Sequence, residues 1–392
     1  MSKTLIFILF FSAVTVVVLS VHYYLWLRLI KDTGLNNLYK NIGAYLFLGL
    51  TLSLPTALLA DRILPYKYSF ALLWLSYFWI GIMMLLFFLL ISIDMIKTAI
   101  YIFQRFTQAG EEVTNPGRRA FISGMTASAA SLIVFISSGI GVKNYYSSAV
   151  VKKFRVTLED LPEVFKGFKI VQISDLHLGQ MMTKKILEKI VDQVNSLRPD
   201  LIAITGDLAD GSTTRLLNQA VPLKNLKAKD GVYFVTGNHE YYSGVENWTS
   251  AIKNMGIAVL NNQNIKIRKK DDFFYLAGVT DHGGKNFGRE HAADFKKALH
   301  GLEKSKKKIL LAHQPIAVQE ASEYGTDLIL SGHTHGGQIW PFNYLVYLQQ
   351  PFLKGFYDYK GTKLYVNQGT GCWGPPIRLG SKNEITQIML DT

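Results

Sequence analysis

Cysteine is almost absent from this sequence, and its scarcity excludes two kinds of site. Cys372 is the only cysteine in the 392 residues. The chain therefore forms no intramolecular disulfide and no zinc cluster built on cysteine. Any metal site must use histidine, carboxylate or amide ligands.

Histidine is scarce in the first part of the chain. His22 is the only histidine before position 150, and the others lie at or beyond His177. Lysine, aspartate and glutamate are also concentrated in the second half. We therefore expect metal chemistry only there.

A dense run of lysine and arginine interleaved with aromatics is also missing, although the net charge is +13. Such a run is typical of nucleic-acid binding, so we expect no nucleic-acid partner. Positive potential spread over the surface instead favours anionic lipid headgroups or a phosphorylated substrate.

Four stretches contain no Asp, Glu, Lys or Arg over about the 20 residues that a helix needs to cross a bilayer. They are residues 4–27, 41–60, 68–93 and 120–142. We predict a transmembrane anchor of about four helices over 1–150 and a separate domain over 151–392. A transporter would need titratable groups inside the spans, and apart from His22 the four stretches contain none.

The loops between these stretches indicate an orientation, because Lys and Arg near span ends stay preferentially in the cytoplasm. The first and third loops contain most of these residues: Arg28, Lys31, Lys40, Lys97, Arg105, Arg118 and Arg119. We therefore expect an integral protein of the cell membrane whose second domain is extracytoplasmic. The basic residues Lys143, Lys152, Lys153 and Arg155 favour the opposite side.

From about position 152 the pattern changes to short apolar runs that end in polar clusters. Predicted strands cover 168–174, 201–205, 232–236, 273–279, 308–312, 328–331, 363–367 and 385–390. Apolar residues at helical spacing separate the first two strands, which predicts a β-α-β unit. The fold class is α/β.

Polar side chains follow five of these predicted strands, where α/β sheets place their sites. The segments are Asp175-Leu176-His177, Gly206-Asp207, Gly237-Asn238-His239-Glu240, Ala312-His313 and Gly332-His333-Thr334-His335. Each segment alone is compatible with an ordinary loop. Their order, each at the end of a strand, indicates a metal site.

From about position 168 onwards these segments resemble the calcineurin-like metallophosphoesterase superfamily, in its membrane-anchored bacterial-type branch. The resemblance implies a two-sheet β-sandwich flanked by helices. It also implies two metal ions, the first bound by Asp175, His177, Asp207 and His335, and the second by Asp207, Asn238, His313 and His333. Asp207 would bridge the two ions, and His239 would contact the phosphate and assist the leaving group.

The residue types suit this chemistry. Carboxylate, imidazole and amide ligands suit divalent Mn, Fe or Zn. Two ions about 3.5–4 Å apart acidify a shared water, so a metal-bridged hydroxide is the expected nucleophile. His239 would then give a proton to the departing alkoxide.

The segment from Asn367 to Arg378 resembles one typical of the membrane-associated branch. Arg378 is predicted to bind a phosphate or a headgroup, and Trp373 to lie at a pocket rim or at the bilayer interface. A structural turn with a packed Trp is the alternative. Glu240 is predicted to orient a ligand histidine or to be a solvated acid.

We expect a membrane-anchored phosphohydrolase acting on a phosphorylated, lipid-linked or membrane-surface substrate. One alternative is a pyrophosphate hydrolase of the UDP-2,3-diacylglucosamine type that faces the cytoplasm. Another is a non-catalytic membrane sensor or scaffold in which the metals only hold the fold. The choice among monoester, diester and pyrophosphate stays open, as does the oligomeric state.

Overall fold

A computed structural model of the chain describes residues 3–64, 66–107, 115–179 and 181–392. The chain divides into two compact units. The first comprises Met1–Val142 together with Gly374–Ile377, and the second comprises Lys143–Trp373 with Arg378–Thr392. The division therefore falls slightly before the predicted boundary at position 150.

The first unit is helical. Its helices are α1 (Lys3–Leu29), α2 (Asn37–Ile63), α3 (Tyr66–Thr107) and α4 (Pro116–Tyr146), the last of which ends in the second unit. Within the described residues, four helices are long and apolar enough to cross a membrane. The prediction of four spans is thereby confirmed in number.

Helix α3 continues well past the predicted end of its span at position 93. The added part contains Asp94, whose carboxylate lies 2.7 Å from Arg28 Nη2 on α1 and accepts a hydrogen bond of 2.7 Å from Tyr24. Backbone hydrogen bonding continues a helix regardless of side-chain polarity, so hydropathy alone does not mark where α3 ends.

The second unit is built on two six-stranded sheets. Its strands are β1 (Val150–Thr157), β2 (Lys169–Ile173), β3 (Leu201–Thr205), β4 (Val232–Val235), β5 (Ala258–Val259), β6 (Gln263–Lys269), β7 (Asp272–Gly278), β8 (Lys308–Leu311), β9 (Leu328–Ser331), β10 (Gly355–Tyr359), β11 (Thr362–Val366) and β12 (Glu384–Asp391). The strand orders are β1-β12-β2-β3-β4-β5 and β10-β11-β9-β8-β7-β6. Every predicted strand is present, which confirms the α/β class and the two-sheet architecture.

Short α-helices accompany the two sheets. They are α5 (Lys184–Ser196), α6 (Thr213–Ala220), α7 (Asn238–Ser243), α8 (Val245–Asn254), α9 (Phe295–Leu299), α10 (Val318–Ala321) and α11 (Asn343–Val346). One apolar cluster, which includes Leu201 and Leu311, fills the space between the sheets. Two more clusters lie under α5, α6 and α8 on one side and under α9 and α10 on the other. The layers therefore run helix, sheet, sheet, helix.

Strand direction places the site. Strands β2, β3 and β4 are parallel neighbours in one sheet, and β7, β8 and β9 are parallel neighbours in the other. The carboxyl ends of parallel strands meet at one edge of a sheet. The segments after β2, β3, β4, β8 and β9 are those that carry the predicted ligands.

Candidate active site

The predicted ligands come together in two groups. Asp175, His177 and His335 each offer a ligand atom, and these atoms lie within 4.8 Å of one another. Asp207, His313 and His333 form a second group by the same measure. Each group contains three of the four ligands that the resemblance implies for one metal ion.

The imidazoles face one another across short distances. His177 Nε2 lies 3.1 Å from His335 Nε2, and His333 Nδ1 lies 3.2 Å from His313 Nε2. Asp207 Oδ2 is 3.1 Å from His313 Nε2 and 3.8 Å from His177 Nε2. This carboxylate therefore lies between both groups, as a bridging ligand must.

Backbone conformation turns these side chains inward. Asp175, His177, Asp207, His333 and His335 all have positive φ angles, between 48° and 71°. This left-handed region is unfavourable for L-residues other than Asn, Asp and His, and such conformations concentrate at functional sites. Aspartate and histidine are among the residue types that tolerate this region, so the strand ends can turn sharply where the candidate ligands converge.

Glycine is required where the ligand loops approach one another. A Cβ at Gly237 would overlap Asp207 Oδ1, and a Cβ at Gly332 would overlap Ser174 Oγ and Asp175 Oδ2. Gly206 combines a φ of 86° with neighbours that would lie 2.7 Å from a Cβ, Gly237 N and His313 Nδ1. Side chains at these positions would push the carboxylates apart.

Hydrogen bonds behind the ligands orient them. His313 Nδ1 donates to the Thr205 carbonyl at 2.7 Å, which leaves Nε2 as the ligand atom. His177 Nδ1 lies 2.9 Å from Asp210 Oδ1, so its Nε2 is likewise directed at the centre. Such contacts fix the ring orientation of metal-binding histidines.

An orphaned oxygen tests whether this set fits metal ions. Asn238 Oδ1 is buried and has no hydrogen-bond partner among the described residues. Buried amide oxygens are nearly always paired. Imidazoles and carboxylates grouped together are a donor set for divalent cations, and such a cation would be the missing partner of this oxygen. The residues therefore fit divalent metal ions.

Burial and neighbouring charges give the candidate ligand imidazoles different protonation states. Burial and the nearby His313 lower the pKa of His333 to about 3, which keeps its imidazole neutral. Although burial opposes it, the Asp210 carboxylate and its acidic neighbours raise the pKa of His177 to about 9. Because a ligand histidine must be neutral, metal binding displaces a proton from His177.

His239 lies outside these two groups, but it forms a third cluster of candidate ligand atoms with His177 and Asp210. Its side chain is 15% exposed, and its Nε2 is 4.0 Å from Asp207 Oδ2. Its Nδ1 lies 2.7 Å from Asp210 Oδ1. The backbone N–H of His239 also donates to Asp207 Oδ1 at 2.9 Å.

Sequence reasoning missed Asp210, whose carboxylate contacts both His177 and His239. Burial would raise the pKa of this carboxyl, but the two imidazoles hold it at about 2. A second carboxylate three residues after Asp207 was the available signal. This spacing does not show which histidine the Asp210 carboxylate contacts.

Glu240 plays neither of its predicted roles. It is fully buried, and its carboxylate accepts hydrogen bonds from the backbone N–H groups of Asp207 (3.0 Å), Leu208 (2.7 Å) and Gly237 (2.6 Å). Glu240 thus joins the loop after β3 to the loop after β4.

Arg378 does not face a cleft, which corrects the prediction of a phosphate or headgroup contact. It is fully buried, and its guanidinium donates to the carbonyls of Gln368 (2.9 Å), Gly369 (3.1 Å) and Gly371. Its Nη2 also lies 3.4 Å from His335 Nδ1. Arg378 therefore holds the loop after β11 against a ligand histidine.

Aromatic side chains flank His239. The ring of Tyr242 lies 5.4 Å from its imidazole, and the ring of Trp373 lies 5.8 Å away, both nearly edge-on. Trp373 therefore lies at the rim of the site, one of the positions predicted for it.

Comparisons with known proteins agree with this geometry. Residues 168–337 match the family model described as calcineurin-like phosphoesterase. A "Transmembrane protein with metallophosphoesterase domain" from Bos taurus is 40% identical over 67% of this chain and 61% of its own length. Its namesake from Danio rerio is 36% identical over 81% of this chain and 73% of its own length.

A bacterial relative is matched over nearly its whole length. The "Uncharacterized metallophosphoesterase YkuE" of Bacillus subtilis is 32% identical over 70% of this chain and 97% of its own length. The ligand groups and the matches agree with each other. This chain belongs to the calcineurin-like metallophosphoesterase family and is a metal-dependent phosphoester hydrolase with membrane-spanning helices.

Proposed function

We propose that this chain hydrolyses a phosphoester bond of a lipid or of another substrate at the membrane surface, with His239 as the general acid. The observation that carries the proposal is the position of His239. It lies next to Asp207, the carboxylate between both ligand groups, and its Nδ1 lies 2.7 Å from the Asp210 carboxylate. It is thus a proton donor at the edge of a metal site.

The side chains divide the work of the reaction. Two divalent cations, of Mn, Fe or Zn, would acidify the attacking water and neutralise the phosphoryl oxygens. The Nδ1–H of His239 donates to Asp210, which directs Nε2 towards the substrate and stabilises the imidazolium. The proton on Nε2 then passes to the oxygen that leaves phosphorus.

Membrane attachment supports the choice of substrate. The chain that carries this site also carries four helices suited to crossing a bilayer. Attachment raises the effective concentration of membrane lipids above that of soluble phosphates. The net charge of +13 also favours anionic headgroups.

We further propose that the catalytic unit is extracytoplasmic, because the basic residues crowd into the first and third loops. Lys143, Lys152, Lys153 and Arg155 support a second candidate. In that arrangement the unit faces the cytoplasm, where it would meet a nucleotide-linked glycolipid of the UDP-2,3-diacylglucosamine type.

A leaving-group series tests the role of His239. We expect His239→Ala in the purified full chain, supplied with Mn²⁺, to lower kcat about 10²–10⁴-fold on a dialkyl phosphodiester. The loss should be much smaller on bis(p-nitrophenyl) phosphate, because p-nitrophenolate leaves without being protonated. His300→Ala is the matched control, since His300 is exposed and lies outside the ligand segments.

Two results would contradict the proposal. Equal losses on both diesters would show that His239 does not protonate the leaving group. Full activity in the variants Asn238→Ala and His239→Ala alike would show that hydrolysis does not depend on this site. Loss of activity in His300→Ala would point to misfolding in this series of variants.

A further inference from the structure

Exposed aromatic side chains surround the histidine that protonates the leaving group. Trp373 is 54% exposed, Tyr242 66% and Phe287 47%. Trp373 and Tyr242 lie against His239, and Phe287 lies 5.7 Å from Tyr242. We call these three side chains the aromatic rim. Exposed apolar groups clustered beside a polar site are typical of a binding surface.

The backbone of Trp373 is also held in place. Gln338 Nε2 donates to the Trp373 carbonyl at 2.7 Å, and the Trp373 N–H donates to Gln338 Oε1 at 3.2 Å. Gln338 follows the ligand His335 by three positions. The loop that supplies a metal ligand therefore also fixes Trp373, so little ordering of its backbone is needed when a ligand binds.

The place of the aromatic rim determines which part of a substrate it meets. In an in-line displacement the leaving oxygen departs beside the group that protonates it. Whatever is attached to that oxygen passes over Trp373 and Tyr242, since both rings lie within 5.8 Å of the His239 ring. The part that stays on phosphorus remains with the metal ligands.

The chemistry of the aromatic rim favours an apolar leaving group. None of its three side chains carries a charge, whereas lipid headgroup alcohols are polar or charged. Aromatic faces bind apolar surface well, and the diacylglycerol part of a phospholipid is the apolar part that a membrane offers in quantity.

We propose that the aromatic rim binds the diacylglycerol part of a phospholipid, so that diacylglycerol leaves and the phosphorylated headgroup stays at the metal ligands. This inference rests on the proposed function. The oxygen of water bonds to phosphorus, and the bond from phosphorus to the glycerol oxygen of diacylglycerol breaks. His239 gives that oxygen its proton, and the proton released by the water restores His239. No atom is oxidised or reduced.

Product analysis in labelled water tests the direction of cleavage. The full chain is incubated in mixed micelles with dioleoylphosphatidylglycerol and Mn²⁺ in ¹⁸O-water, and the products are identified by mass spectrometry. We expect unlabelled diacylglycerol and ¹⁸O-labelled glycerophosphate. Labelled phosphatidate with free glycerol would overturn this inference but leave lipid hydrolysis intact. Hydrolysis of bis(p-nitrophenyl) phosphate without any lipid product would overturn the lipid substrate, and this inference with it.

Variants of the aromatic rim provide a second, independent measurement. We expect Trp373→Ala and Tyr242→Ala to lower kcat/KM on the phospholipid by about tenfold or more, the range for lost apolar contacts in a specificity pocket. The loss should be much smaller on the deacylated diester glycerophosphoglycerol, which lacks the apolar chains that the rings are proposed to bind. An equal loss on both substrates would assign the rings a structural role and overturn the proposal.

Trp340→Ala is the matched control. Trp340 is 56% exposed, as open as Trp373, and among the described residues no ring contact joins it to His239. We expect this variant to act on both substrates at the wild-type rate. A loss on the phospholipid as large as that of Trp373→Ala would show that exposed aromatic surface in general, rather than the aromatic rim, determines the preference.

Discussion

At the scale of single residues, one carboxylate connects metal binding with proton transfer. Asp210 Oδ1 lies 2.9 Å from Nδ1 of His177, a proposed metal ligand, and 2.7 Å from Nδ1 of His239, the proposed general acid. Because each imidazole presents its other nitrogen to the site, one charge orients two different functions. The two roles should therefore weaken together when Asp210 is changed.

The variant Asp210→Asn removes this charge while nearly keeping its shape. We expect both Mn²⁺ affinity and kcat on a dialkyl phosphodiester to fall about 10–100-fold, the range for residues behind metal ligands. Calorimetric titration with Mn²⁺ and steady-state kinetics measure the two quantities.

Asp271→Asn is a suitable comparison for Asp210→Asn, since Asp271 is exposed in the turn between β6 and β7. We expect this variant to match the wild type in both measurements. An Asp210→Asn protein that binds Mn²⁺ with wild-type affinity would contradict the contact with His177, and one with an unchanged kcat would contradict the contact with His239.

At the scale of elements, the site depends on loops that pack closely at the strand ends. Glu240 accepts hydrogen bonds from backbone N–H groups in the loops after β3 and β4. Because Gly237 has no side chain, the two loops approach closely enough for its Cα to lie next to the Asp207 carboxylate. The sheets supply a rigid edge, and the spacing of these loops sets the position of Asp207.

Gly237→Ala tests that spacing. The φ of Gly237 is −99°, which alanine adopts readily, so the cost comes from the overlap of the new Cβ with Asp207. We expect kcat to fall about 10²-fold, because a displacement of about 1 Å in an active site lowers the rate by about that factor. Activity on bis(p-nitrophenyl) phosphate with saturating Mn²⁺ is the measurement.

The control for this element is Gly179→Ala, in a loop of the same unit. A Cβ at Gly179 would lie 3.7 Å from its nearest neighbours, an ordinary contact. We expect wild-type activity and thermal stability for this variant. Wild-type activity in Gly237→Ala would show that the loop after β4 relaxes without moving Asp207.

At the scale of the whole molecule, the proposed function links the two-unit organisation to a restricted set of substrates. A dimetal hydrolase acts on whatever phosphoester reaches its metals, and attachment to a bilayer limits that supply to one membrane face. Under the proposed function, the side on which the second unit lies would decide between phospholipids and a nucleotide-linked glycolipid as substrates.

Reporter fusions determine the side. We expect alkaline phosphatase fused after Thr392 to be active and a green fluorescent protein at the same position to be dark, since the proposed orientation puts this end outside the cytoplasm. The same reporters fused after Gly34, in the first loop, should give the opposite pattern. A bright fluorescent fusion at Thr392 would overturn the extracytoplasmic placement and favour the glycolipid substrate.

The strands that sequence reasoning missed share one property. All of them, β1, β5, β6 and β10, lie at the edges of the two sheets. Central strands such as β3 and β9 are buried along their whole length, which makes them continuous apolar runs. The edge strands are partly exposed, and three of them carry charged residues, such as the lysines of β6, whereas β5 is only two residues long. Hydrophobic pattern alone therefore does not reveal them.

The sequence by itself determined the types of the metal ligands, their order at strand ends and the four apolar spans, because these depend on local composition and periodicity. Only the tertiary structure shows that Asp210 contacts His239 and that Arg378 is buried rather than at the surface. It also shows that the rings of Tyr242 and Trp373 both lie beside the His239 imidazole. Except for Tyr242, which lies one helical turn after His239 in α7, these contacts join segments that lie far apart along the chain. Spacing in sequence carries no record of such neighbours, since the packing of two sheets brings them together.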